Sequence, residues 1–350
     1  MSPTIRDVAR LAGVSVATAS RVLSDSGYPV APDVRQRVLD AARELDFTPN
    51  AFARGLSKRE SRLIGLVIPN IREPYFLEIG RGTEEVASRH GYLVVLCNTD
   101  RDPAREQTYL EQLRALRAGV ILVGRSSYDE AFRQELESHP APIVVIGRHQ
   151  LPCSSVQADN VQGAIEAVSH LVQLGRRRIA FIGGPLSSSS AVDRLEGYRE
   201  AMRRHGLPVD EGLVVESDYT MEGGARALVR LLRAAPLPDA LFAANDQMAI
   251  GAMREARGRG LRVPADLSIV GFNDIPVAAF VEPPLTTVRL PLHQIGEIAA
   301  DLLLRQLRSR EWEGTRVVLR GELVVRGSTA PGLDRDGRAA RPEDPRGPGD

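Results

Sequence analysis

Between residues 4 and 46, apolar side chains recur three and four positions apart in three short blocks, the spacing that gathers them on one face of an α-helix. In the first block Val8 and Ala12 share a face, Thr4 stands where an N-cap belongs, and Asp7 favours the positive end of the helix dipole. Gly13 ends the block. Ser15 caps a second helix with Ala19, Val22 and Leu23 inward, and residues 25–29 form a loop. Pro32 suits the first turn of a third helix, whose inward positions are Val34, Val38, Ala41, Ala42 and Leu45. Three helices this small bury little, so the unit leans on what it binds or on the rest of the chain.

From Arg62 onward the pattern changes. Residues 63–68, 92–96, 119–123 and 142–146 are continuous apolar runs, as parallel strands covered on both faces require, with helical stretches between them. A second series follows at 178–182, 240–243 and 267–272, separated by amphipathic segments such as 191–205 and 246–258, with a shorter strand at 213–216. Two successive series predict two doubly wound parallel-sheet α/β lobes with a cleft between them. After Pro331 almost nothing is apolar, and 331–350 reads as a disordered tail.

At 350 residues the chain has room for two or three compact units, and 43% hydrophobic with 26% charged residues is an ordinary soluble balance. No apolar run approaches the ~20 residues of a spanning helix and no secretory stretch opens the chain, so the expected location is the cytoplasm, with no membrane partner. The formal net charge is zero, and the first 62 residues hold ten Arg or Lys against seven Asp or Glu, so any nucleic-acid binding is local. Cys97 and Cys153 read as reduced thiols without metal-ligand spacing. Walker, dinucleotide, zinc-protease and nucleophile-elbow motifs are missing and the six histidines are scattered, so neither an enzyme nor a cofactor or metal is expected. A free-standing periplasmic sugar-binding protein shares the two lobes, but residues 1–60 argue against it.

The turn at Gly13 between a short helix and a capped second one forms a helix-turn-helix, whose second helix lies in the DNA major groove. Val16 and Ala17 stand near the start of that helix and Arg21 one turn later. Arg21 can read guanine or hold a phosphate, the apolar pair can touch a thymine methyl, and Ser15, Thr18 and Ser20 suit phosphate oxygens.

The strings Thr4-Ile5-Arg6-Asp7-Val8-Ala9 and Ala12-Gly13-Val14-Ser15-Val16-Ala17-Thr18-Ala19-Ser20-Arg21-Val22-Leu23 resemble the opening of the lactose/galactose repressor family. So do Asn50-Ala51-Phe52-Ala53-Arg54-Gly55-Leu56, Arg194-Leu195-Glu196-Gly197-Tyr198, Asn245-Asp246-Gln247-Met248 and Pro284-Leu285-Thr286-Thr287-Val288, in the family's order. The resemblance implies an operator-binding repressor controlled by a small molecule, with a helical headpiece at 1–46, a hinge helix and linker at 47–60, and effector-binding lobes of periplasmic-binding-protein type at 61–330. Lobe 1 would take 61–157 and 288–316, and lobe 2 would take 158–287 and 317–330. It makes Val16, Ala17 and Arg21 base readers, sets Asn50 and Arg54 on the DNA, and makes Leu56 an apolar wedge in the minor groove of a palindromic operator bound by a homodimer. Ala31 departs from the family's capping Ser or Thr, so the third helix is expected to fray at its start.

Ligands of open α/β lobes sit beyond the carboxyl ends of the strands. Those ends carry Asn70 through Phe76, Arg125, Arg148, Ser187 through Ser190, Asn245-Asp246 and Asn273-Asp274, with Arg194 and Tyr219 nearby. By resemblance Arg194 and Asp246 are the recurrent effector contacts, Tyr219 stacks on the ligand, and Tyr75 and Phe76 form an aromatic edge. Ser188, Asn245 and Asn273 add groups that hydrogen-bond hydroxyls, while Asp159-Asn160 is expected to fix the crossover between lobes. The set points to a neutral sugar; Arg125 and Arg148 turned inward beside Arg194 would instead favour an anion.

Overall fold

The computed structural model describes residues 3–23, 28–47, 61–124, 130–309, 312 and 314–332. The chain divides into two units, Met1–Arg62 and Leu63–Asp350. In the first, α1 (Ile5–Ala12), α2 (Val16–Leu23) and α3 (Pro32–Glu44) close over Val8, Ala12, Ala19, Val22, Val38 and Ala41. Thr4 and Asp7 tie the start of α1, the Thr4 N–H donating to Asp7 Oδ2 at 2.9 Å and its hydroxyl at 2.7 Å. Gly13 turns the chain at φ +63°, where a side chain would be strained. Arg37 Nη1 donates to the Ala12 carbonyl at 3.3 Å and so fastens α3 to the end of α1. α3 begins at Pro32. Ala31 supplies no side-chain cap, as expected; its carbonyl accepts the first helical bond from Arg35 N–H at 3.0 Å, and Pro32 suits the first turn, where its missing N–H leaves one donor fewer to cap.

The second unit holds two six-stranded sheets. Lobe 1 begins with β1 (Leu63–Ile68), α4 (Pro74–Arg89), β2 (Leu93–Asn98), α5 (Pro103–Ala115), β3 (Gly119–Val123), α6 (Glu130–Ser138), β4 (Ile143–Ile146) and β5 (Ser154–Ala158). Lobe 2 takes α7 (Asn160–Gln173), β6 (Ile179–Gly183), α8 (Ser189–Arg204), β7 (Val214–Glu216), α9 (Met221–Leu231), β8 (Ala240–Ala243), α10 (Asp246–Gly258), β9 (Ser268–Asn273) and β10 (Thr286–Arg289). The chain then returns through α11 (Leu292–Ser309) and β11 (Arg316–Leu319) to lobe 1 and ends in lobe 2 with β12 (Glu322–Val324). The strand orders are β11-β5-β4-β3-β1-β2 and β12-β10-β9-β8-β6-β7, parallel throughout except that β12 runs against β10.

The crossings differ slightly from the sequence reading. β10 stays in the second sheet through Arg289 and β11 stays in the first through Leu319, because each strand completes its ladder before the chain leaves. Lobe 2 is centred on Phe181, Tyr198, Phe242 and Phe272, with Phe181 stacked on Tyr198 at 5.2 Å between centroids. In lobe 1, α4 and α11 approach closely because Gly82 and Gly296 face the partner helix's backbone, which any side chain there would overlap. Cys97 and Cys153 are free thiols. Among the described residues no helix is long and apolar enough to cross a membrane.

Candidate functional site

The α2 face opposite its buried Ala19 and Val22 presents Val16, Ala17, Ser20 and Arg21 to solvent, with Val16 44% exposed. The Arg21 guanidinium sits 4.6 Å from the ring centroid of Tyr28. Ser15 is less free for phosphate than its type suggests: its Oγ accepts from Thr18 N–H at 3.1 Å as the N-cap and lies 2.9 Å from the Thr18 hydroxyl. Asn50, Arg54 and Leu56 lie outside the described residues, as does Arg125 of the cleft.

Between the two lobes a cleft is lined by the carboxyl ends of strands from both sheets. Tyr75, Phe76, Arg148, Ser188, Arg194, Tyr219, Asn245 and Asn273 all line it. Arg194, carried by α8, is buried in the floor. Its Nε donates to Asn160 Oδ1 at 3.0 Å, one Nη to the Ala244 carbonyl and the other to Asn273 Oδ1 at 3.3 Å. Its guanidinium lies 4.0 Å above Phe272, and burial pulls its pKa down. Every one of these acceptors is neutral.

Among the described residues the other lining cations, Arg148 and Arg101, are paired. Arg148, after β4, donates from Nε to Asp193 Oδ1 on α8 at 2.8 Å, an ion pair that joins lobe 1 to lobe 2. Burial pushes the Asp193 carboxyl up even against that guanidinium. Arg101, in the loop after β2, meets Glu73 at 2.6 Å, and burial likewise raises Glu73. Tyr75 packs edge-on to Phe76 at 5.0 Å, and burial raises its phenol. Ser188 Oγ is 2.9 Å from Ser190 Oγ at the mouth of α8. Asn245 is committed to the scaffold: Oδ1 caps α10 through Met248 N–H at 2.8 Å and Nδ2 donates to the Tyr219 carbonyl at 3.0 Å.

Two expectations need correction. Asp246 is fully buried and does not line the cleft; its carboxylate accepts from Thr287 Oγ1 and, at 2.7 Å, from Ile275 N–H, since the first residue of α10 turns beneath the sheet rather than into the cleft. The residue that meets Arg194 from that side is Asn273, at φ +107° on the end of β9. Asn160 does more than fix the crossover: Asp159 caps α7 through Gln162 N–H at 3.0 Å, while Asn160 lines the cleft and orients Arg194. Arg101 was missed, although it follows the carboxyl end of β2, and Glu73 lay within the run Asn70 through Phe76 without being singled out.

Residues 4–50 match the model of the lacI family of bacterial regulatory proteins, and residues 168–329 match a periplasmic binding protein-like domain. The chain is 38% identical to the HTH-type transcriptional regulator DegA of Bacillus subtilis over 336 residues, covering 95% of this chain and 99% of DegA. It superposes on a lac repressor dimer bound to operator and the anti-inducer ONPF with a TM-score of 0.85 at 31% identity, covering 94% of this chain and 100% of that one. A complex of the transcriptional regulator CelR with cellobiose gives a TM-score of 0.72 at 35% identity, covering 93% of this chain and 99% of that one.

Proposed function

Because the chain belongs to the lacI family of bacterial regulatory proteins, we propose that it is a cytoplasmic repressor that binds a palindromic operator as a homodimer, with a neutral sugar in the cleft setting its operator affinity. The pairing of lining charges carries the sugar reading. Arg148 is taken by Asp193 and Arg101 by Glu73, so among the described residues Arg194, already bonded to three neutral acceptors, is the lining guanidinium without a carboxylate partner. What faces the ligand is a mixed set of amides, hydroxyls and aromatic rings, suited to an array of sugar hydroxyls. Relatives whose structures hold cellobiose or ribose support the same class.

The DNA-facing half of the reading rests on Val16, Ala17 and Arg21 at base edges, with Leu56 as a minor-groove wedge beside Asn50 and Arg54. Leu93, Val95 and Leu96 on the edge strand β2, and Phe280 at 87% exposure, are apolar surface that a second copy would cover. The test is a thermal-shift screen of the full chain with neutral sugars, sugar phosphates and nucleosides, followed by operator titration with each hit. A neutral sugar should raise the melting temperature by mass action and change operator affinity. Stabilisation by phosphorylated compounds or nucleosides alone would refute the sugar reading.

A further inference from the structure

Tyr219 lies just after β7 in the left-handed region at φ +64°, a conformation that a tyrosine keeps only where its surroundings hold it. Asn245 Nδ2 holds its carbonyl at 3.0 Å, and Asp218 Oδ1 accepts from the N–H and hydroxyl of the next residue, Thr220, at 3.0 and 2.6 Å. The ring rests on Gly184, where a Cβ would overlap it, and the Arg101 guanidinium lies 5.4 Å from its centroid. The side of the ring is therefore fully accounted for. The oxygen is not: Tyr219 is 6% exposed, and its Oη is buried without a hydrogen-bond partner in the protein among the described residues.

A buried hydroxyl that no protein group satisfies destabilises the fold, and a phenylalanine in the same place would fill the same space without that cost. Stacking on a ligand explains the ring and leaves the oxygen unexplained. We propose that Tyr219 Oη is a specificity-determining group of the cleft, hydrogen-bonding one hydroxyl of the effector so that the sugar bearing it is taken and its deoxy counterpart rejected. The inference rests on the neutral-sugar reading. A phenol and a sugar hydroxyl each donate and accept, so the pair forms in either sense, whereas a deoxy carbon leaves the phenol orphaned. A site built to bond a hydroxyl discriminates against its absence far more strongly than an apolar wall discriminates by size.

Calorimetry of the full chain with neutral aldopentoses, aldohexoses and cellobiose, and with the monodeoxy derivatives of whichever binds, tests this in wild type and Tyr219→Phe. In wild type, one deoxy position should weaken binding roughly 10- to 100-fold. Tyr219→Phe should weaken the parent sugar by a similar factor and leave that one deoxy derivative unweakened, and the ligand-free variant should melt no lower than wild type. Unchanged affinity for the parent, equal losses on all derivatives, or a lower melting temperature of the ligand-free variant would overturn the inference while leaving the sugar reading intact. Failure of every neutral sugar to bind wild type would overturn both.

Discussion

Replacing Asp246 by Asn tests whether this carboxyl is a buried scaffold acid. Asp246 is 0% exposed, its oxygens receive Thr287 Oγ1 and Ile275 N–H, and Asp274 adds negative charge nearby. Burial, the dominant cause, pushes its pKa from the ordinary 3.8 up to about 7. The unfolded chain therefore releases this proton near pH 4 and the folded chain near pH 7, so between those values the folded state binds more protons and stability falls as pH rises. Three pKa units at 1.36 kcal/mol each make a loss of about 4 kcal/mol, complete above pH 7 and absent below pH 4. Asn copies the protonated acid, its oxygen accepting from Ile275 N–H and its amide donating to the Thr287 hydroxyl. The melting temperature of Asp246→Asn relative to wild type should rise across this window by roughly 8 °C, at about 2 °C per kcal/mol for a unit of this size. Calorimetric melting of the full chain from pH 4.5 to 8 reads the difference directly, and parallel curves for the two proteins would refute the reasoning.

Arg21→Ala and Leu56→Ala should each weaken operator binding at least ten-fold more than random-sequence binding at fixed salt, because base reading and wedging matter only in the specific complex. Equal losses on both DNAs, read by fluorescence anisotropy, would remove these roles. Asp193→Asn removes the carboxylate that ties Arg148 across the lobes, so the sugar that binds wild type should bind several-fold more weakly and the ligand-free chain should scatter with a larger radius of gyration. An unchanged radius and affinity would show that the pair does not hold the lobes together.

The sequence pattern makes the large elements legible because their apolar periods are long and uninterrupted. The runs at 63–68 and 119–123 coincide with β1 and β3 residue for residue, since strands buried on both faces admit no polar position. β5, with Ser154, Ser155 and Gln157, and β11 and β12 give no such run; they are short, partly polar and paired at sheet edges or crossings, where their partners are far along the chain. Their placement follows from tertiary pairing, and this is why the crossing points shifted while the two-lobe plan stood. At the start of α3 both features were visible in the chain: Ala31 gives no side-chain cap, and Pro32 stands in the first turn.

In the cleft, the strand-end rule found the right neighbourhoods and failed at the level of which neighbour faces inward. Asn245 and Asp246 are adjacent, yet one caps α10 and touches the cleft wall while the other turns under the sheet, because successive residues at a helix start point in different directions. The same rule applied to the loop after β2 would have yielded Arg101, and Glu73 already stood within the run at 70–76. Their pairing joins residues 28 positions apart, and that of Arg148 with Asp193 joins residues 45 apart. These two pairings bear on the chemistry, since the same guanidiniums left unpaired would favour an anion, whereas paired they leave Arg194 as the lining cation without a carboxylate partner among the described residues. The identity of the charged residues was thus readable from the chain, while the charge the ligand meets is a property of the folded cleft, and a ligand class argued from residue types acquires its physical warrant only when each cation has been assigned its acceptor.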